Sequence, residues 1–183
     1  MISLKNELNL NNMGFIKKMD DYLNMIAESL NNPLEIKWVG NPDNLIGLFN
    51  VDNRIFKINC VEKGNNIWKF DFYFLKNNIF SPELTGHGKD RFRILPTVKD
   101  GMYYLHQIKN PNAIIYGAVD DSKGRKKIYE NFSRDFAKEK KYMFYTKIED
   151  NKQIYVLYKE SMNTDILFDA IYKIVEEERE DKL

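Results

Sequence analysis

The residues able to do chemistry are few, and they cluster. Residues 83–99 read ELTGHGKDRFRILPTVK, where Gly86 and Gly88 bracket His87 and the cations Lys89, Arg91 and Arg93 follow. A glycine pair at this spacing serves one of two ends: its backbone N–H groups cradle a phosphate, or the chain turns or bulges before a strand. His87, in the same loop, is placed to contact a ligand, but neither it nor His106 has a nucleophile or acid partner nearby in sequence. Residues 122–141 set Lys123, Arg125, Lys126, Lys127, Arg134, Lys138, Lys140 and Lys141 against Glu130, Asp135 and Glu139, a local excess of about five positive charges. With Lys89, Arg91 and Arg93 these cations form either a patch for a phosphate backbone or an acidic protein partner, or a solvated helix face. Cys60 falls on the apolar side of a strand pattern and reads as a small buried hydrophobe. One cysteine and two histidines give no zinc spacing and no internal disulfide, so no metal is expected.

The elements that must position these residues are bounded by composition. The 183 residues are 43% hydrophobic, which suits one globular domain spanning 1–183. Lys and Arg number 28 against 27 Asp and Glu, so any attraction to nucleic acid or to an anionic membrane has to be local. No apolar run reaches the roughly 18–20 residues that span a bilayer. The opening MISLKNELNLNNMGF lacks the basic-then-apolar order of a secretory signal. A cytoplasmic protein without a membrane partner is expected.

Hydrophobic periodicity then orders the chain. Ile16, Met19, Leu23, Ile26 and Leu30 predict a helix within 1–34, ending at Asn31-Asn32-Pro33. Period-two alternation through Phe56, Ile58 and Cys60, and again through Trp68, Phe70, Phe72 and Phe74, predicts an antiparallel meander over 35–80 that turns at Lys63-Gly64-Asn65-Asn66. FRILP reads as a strand, and Thr97 as the cap of a helix carrying Val98, Met102, Leu105 and Ile108. AIIYGAV reads as a buried strand, 122–141 as a helix with Ile128, Phe132 and Phe136 inward, and YMFYTKI and QIYVLYK as paired strands. A last helix begins at Thr164 and is assigned to 164–183, with Leu167, Ala170, Ile171 and Ile174 apolar. The expected fold is α/β (α+β), a single mixed, largely antiparallel sheet flanked by helices, with a strand-helix-strand-helix-strand-strand core over 84–160. The aromatic strands Trp68–Phe74 and Tyr142–Tyr158 offer an edge for a homodimer.

The block from ELTG to YMFYTKI resembles a family of small, mostly uncharacterised proteins of bacteriophages and mobile elements. The resemblance rests on Leu84-Thr85-Gly86-His87-Gly88, Ile94-Leu95-Pro96-Thr97-Val98, the stretch from Pro111 to Ala118, and Gly124-Arg125-Lys126-Lys127-Ile128-Tyr129. Over residues 84–148 the same order of elements is similar to the second half of the GNAT N-acetyltransferase superfamily. That likeness implies a GNAT-like core. It also implies an acyl-CoA pyrophosphate held by backbone N–H groups of a Q/R-x-x-G-x-G/A loop between a strand and a helix N-terminus, and a general-acid tyrosine on the helix after the splayed strand.

Residues Glu83 to Gly88 have the loop's spacing, with Glu83 where a cation or amide belongs. With FRILP read as a strand, however, the glycines do not lead into a helix. On that reading the loop is degraded, and Thr97, Val98, Lys99 and Asp100 become the candidates to receive the pyrophosphate of acetyl-CoA. Tyr129 stands where the resemblance places the acid that protonates the departing thiolate. It also suits ordinary core packing, and Arg125 one turn earlier suits a phosphate or carboxylate.

Three functions are therefore expected from different classes. The first is a bacteriophage-type accessory protein that uses no cofactor and binds a host protein, such as a defence or nucleic-acid-processing factor. The second is an acyl-CoA-dependent N-acetyltransferase. The third is a nucleic-acid-binding protein working through the basic helix.

Overall fold

The structure, a computed structural model, describes residues 33–76, 79–81, 91–119, 123–149 and 152–180. The expected N-terminal helix lies outside these residues, apart from the extended Pro33 and Leu34. Four strands form the meander: β1 (Lys37–Asn41), β2 (Asn44–Val51), β3 (Arg54–Glu62) and β4 (Ile67–Lys76). The short β5 (Ile79–Ser81) leads towards helix α1 (Arg91–Lys109), followed by β6 (Ala113–Val119), α2 (Lys123–Lys140), β7 (Met143–Glu149), β8 (Lys152–Tyr158) and α3 (Thr164–Glu180). All strands share one sheet in the order β1-β2-β3-β4-β6-β8-β7, with β5 beside the end of β4. The sheet is mixed and largely antiparallel, because β4 and β6 are its parallel pair.

Turn chemistry sets the meander. Asp52 and Asn53 adopt φ of 45° and 65° between β2 and β3, and Gly64, Asn65 and Asn66 adopt 90°, 56° and 57° between β3 and β4. These are left-handed conformations that Asn, Asp and Gly tolerate best. The Lys63 N–H donates to the Ile67 carbonyl across the second turn at 2.8 Å.

Strand alternation sends Phe49, Phe56, Ile58, Cys60, Trp68 and Phe70 to one face, where they meet Ile94, Val98, Met102 and Leu105 of α1 and Phe136 of α2. Each large side chain buried in this way contributes about 1.5–3 kcal/mol. The opposite face of β4, β6 and β8 presents Ile67, Ala113, Ile115, Ile154 and Val156 to Leu167, Ala170, Ile171 and Ile174 of α3. The Asn163 side chain caps α3, its Oδ1 accepting from the Asp165 and Ile166 N–H groups.

Two expectations about these elements change. FRILP is not a strand: residues 91–96 form the first turns of α1, which continues through Pro96. The helix forgoes the single amide bond that Pro96 would donate to the carbonyl of Phe92, and it is held instead by its apolar stripe against the sheet. Thr97 is accordingly no cap. It is fully buried in the second turn, where its Oγ1 donates to the Arg93 carbonyl at 2.7 Å and accepts from the Leu34 N–H at 2.9 Å. Ile128, expected inward, lies 43% exposed, and Ile108 of α1 lies 42% exposed, since the buried stripes of their helices run through other positions.

Candidate functional site

Three facts of topology converge at one end of the sheet. First, β4 and β6 pair in parallel only from Ile67 to Lys69 and from Ala113 to Ile115, whereas both strands run several residues further. They part beyond that point, and β5 takes up the far end of β4 at Phe74–Lys76. Second, α2 starts after the carboxyl end of β6, and Arg93 in the first turn of α1 reaches Asp52 of the β2–β3 turn, which lies beside the carboxyl end of β4, so both helix N-termini lie at the end where the strands diverge. Third, neither helix carries an acidic residue in its first turn. Arg91 and Arg93 occupy that turn in α1, and Lys123, Arg125 and Lys126 occupy it in α2. Cations at a helix N-terminus oppose the helix dipole, and an anion bound there offsets the repulsion.

Arg93 lies 44% exposed, with its guanidinium 3.6 Å from the Asp52 carboxylate in the β2–β3 turn. The placement of α1 also changes the reading of the glycine pair. Residues 82–90, with His87 and Lys89, lie outside the described residues. In the chain they follow Ser81 of β5 and precede Arg91 of α1. The phosphate-binding role expected at Thr97, Val98, Lys99 and Asp100 loses its basis. These residues sit in the second and third turns, where amides are engaged by carbonyls four residues earlier. Val98 is core, Asp100 is exposed, and the Lys99 ammonium lies 5.7 Å from the Tyr103 ring.

Tyr129 is half-buried and belongs to a tyrosine group on the face covered by α1 and α2. Its ring is 6.0 Å from that of Tyr155, and Tyr155 stacks on Tyr116 at 5.1 Å. Tyr116 follows Ile115, the last β6 residue paired with β4, so the group lies where the strands part. The buried Tyr116 hydroxyl bonds to Ser133 Oγ, and Ser133 donates in turn to the Tyr129 carbonyl at 2.6 Å. Burial pushes the Tyr116 phenol well above its usual range, so it stays protonated at every physiological pH. Tyr116, Tyr155 and Ser133 escaped the sequence reading because they look like ordinary core residues of a strand or helix. The Tyr-x-x-x-Ser spacing of Tyr129 and Ser133 on one helix face was the only cue.

The basic helix is not a uniform patch. Lys127 is exposed and Lys126 half-buried, while Arg134 pairs with Glu130 at 2.7 Å and lies over the Phe144 ring, and Lys140 pairs with Glu139 at 2.9 Å. Cys60 is buried, with its thiol held up by burial and by the nearby Asp71 charge, so it is no nucleophile. His106 lies towards the other end of α1, edge-on to Phe136 and Tyr142, with its imidazole lowered by burial and by the charge on Lys140.

On the α3 face of the same divergence a charge network closes over the sheet. Lys69 bonds to Asp71 at 3.1 Å and to Glu178 at 2.9 Å, and Glu178 also accepts from Lys152. Beside it runs a narrow crevice lined by Lys69, Gly117, Lys152, Ile171 and Glu178. A Cβ on Gly117 would fall 2.0 Å from Cε of Lys152, so any side chain there displaces the Lys152 tail. Burial alone would lower Lys69, but the Asp71 and Glu178 charges outweigh it and hold the ammonium above its usual range. Tyr73 is pushed up to about 12 by burial and by Asp71.

Among the described residues no helix is long and apolar enough to cross a membrane, and no group of three or more His, Cys, Asp or Glu side chains is placed to hold a metal ion. No family model matches the chain, and it matches no curated protein and no solved structure.

Proposed function

We propose that the protein binds an acyl-CoA in a GNAT-like core and passes the acyl group to an amine. The reading is carried by the divergence of β4 and β6, with the N-termini of α1 and α2 and their basic first turns at its open end. Ligands of open sheets with parallel strands sit outside the strands' carboxyl ends, and helix N-termini favour phosphate. The pyrophosphate falls to the N-terminus of α1, which begins at Arg91, rather than to the amides of residues 97–100. The placement of α1 removes one departure from the Q/R-x-x-G-x-G/A pattern, and Glu83 remains the other.

The thioester then lies between the strands, above the tyrosines. The amine nitrogen attacks the thioester carbon, the carbon–sulfur bond breaks, the thiolate takes a proton from Tyr129, and the amine gives one up to water. The resemblance to bacteriophage proteins supports a host-directed role. A transferase and a non-catalytic binder serve that role equally well, and only turnover separates them.

A thiol-release assay with acetyl-CoA and a panel of amines, including lysine-containing peptides, tests the reading. Amine-dependent release is expected, falling by about 10²-fold in Tyr129→Phe with acetyl-CoA affinity retained. Acetyl-CoA binding without release for any amine contradicts the transferase half and leaves a binding protein. Binding of short duplex nucleic acid that falls steeply with salt, without any for acetyl-CoA, assigns the same cationic end to a nucleic-acid backbone.

A further inference from the structure

The outer end of the sheet is built to be continued. Among the described residues, strand β7 pairs with β8 alone and closes the strand order, with unbroken register from Met143↔Tyr158 to Glu149↔Lys152. It holds seven residues without proline, glycine or bulge, the devices that usually blunt an edge. Its two charged residues, Lys147 and Glu149, form an ion pair, and Arg179 of α3 lies 3.5 Å from the same Glu149 carboxylate.

Both flanks are apolar and open. On the α3 face Met143 and Tyr145 are 46% and 37% exposed, and Tyr145 stands edge-on to Phe168, which is 52% exposed. Tyr172, one turn further along α3, is 59% exposed. On the α2 face Ile148 and Ile128 are 62% and 43% exposed. These six side chains, four on one face of the sheet and two on the other, together leave on the order of 500 Å² of apolar surface on either side of the β7 edge. With seven residues of strand backbone, that approaches the ~800 Å² per partner of a standard interface.

We infer that a second copy of this chain occupies the edge, β7 pairing antiparallel with β7 across a two-fold axis through Thr146. An antiparallel strand is self-complementary about such an axis, and each face of the sheet then meets the same face of the other copy. Centring on Thr146 pairs all seven residues. Thr146 stands opposite Thr146 of the partner subunit, and Phe144 opposite Ile148 of the partner subunit, a favourable aromatic–β-branched pair made twice. Tyr145 faces Lys147 of the partner subunit, Met143 faces Glu149 of the partner subunit, and no like charges oppose. Of the aromatic segments expected to supply a dimer edge, Trp68–Phe74 lies in β4 and residues 152–158 form β8, both internal to the sheet, so within them only β7 lies at an edge.

Sedimentation equilibrium of the full chain over a roughly hundred-fold concentration range tests this, with Ile148→Lys and Thr146→Cys alongside. Wild type is expected to sediment as a dimer and Ile148→Lys as a monomer with unchanged far-ultraviolet circular dichroism, since the site is largely exposed. Mild oxidation of Thr146→Cys is expected to give a covalent dimer that wild type, with buried Cys60, does not form. A wild-type monomer throughout overturns the inference, whatever other strand it captures. So does a dimer that survives Ile148→Lys. A dimer dissolved by Ile148→Lys but not locked by Thr146→Cys overturns the register.

Discussion

Glu178 bridges Lys69 and Lys152 across the seam between α3 and the sheet, and its ionisation makes the seam sensitive to pH. Burial by itself would raise this carboxyl; the hydrogen bond and charge of Lys152, then those of Lys69, outweigh it and hold Glu178 below the usual range. A group depressed in the folded state stabilises the fold above its unfolded value of ~4.3, and the contribution is lost as pH falls through the folded value. Lys69, raised in the folded state, contributes below its unfolded value of ~10.4, and that contribution is lost as pH rises through the folded value. Urea unfolding of Glu178→Gln is expected to show about 1–2 kcal/mol less stability at neutral pH, and a flatter decline on acidification than wild type. An acid limb identical to that of wild type contradicts the network's role. Gly117→Ala tests the same seam from the other side. The added methyl evicts the Lys152 tail from Glu178, and the expected loss is about 1 kcal/mol with the same flattening of the acid limb. These four charges were not legible in the sequence, because Lys69 and Glu178 lie far apart in the chain and alternation says only that Lys69 and Asp71 share a face of β4.

At the scale of elements, α1 carries the account. Ile94, Val98, Met102 and Leu105 follow helical spacing across Pro96, but FRILP was read as a strand and Thr97 as the cap that starts the helix. Packing of the stripe against β3 outweighs the one missing amide bond. Gly101 faces β3, and a Cβ there would fall 2.5 Å from the Ile58 Cδ1. Gly101→Val is therefore expected to destabilise the protein by about 2–3 kcal/mol in denaturant titrations, despite glycine's poor helix propensity. A neutral result would mean that α1 stands further from the sheet. The N-terminus of the same helix makes a functional prediction. Arg93→Glu is expected to weaken acetyl-CoA binding by at least about tenfold, one charge-assisted contact being lost and a like charge added. Asp52→Asn, which frees Arg93 of its carboxylate partner, is expected to leave binding intact or to tighten it. Equal loss in both variants would assign the effect to the β2–β3 turn rather than to the helix end.

Across the whole molecule, the meander, β6, the β7–β8 pair and the last helix were legible, because each alternates or repeats cleanly and is bounded by Gly, Asn or Pro. Which strands lie side by side was not, since pairing between distant segments leaves no local pattern. That pairing decides the site. It makes β4 and β6 parallel neighbours that separate after three residues each, and α1 begins at Arg91, where the sequence reading had a strand. Calorimetric titration of wild type and of Gly86→Glu/Gly88→Glu with acetyl-CoA bears most directly on that arrangement. Micromolar binding by the wild type, absent in the double variant with its far-ultraviolet circular dichroism unchanged, is the expected result. Flat heats for the wild type at high protein concentration would contradict it.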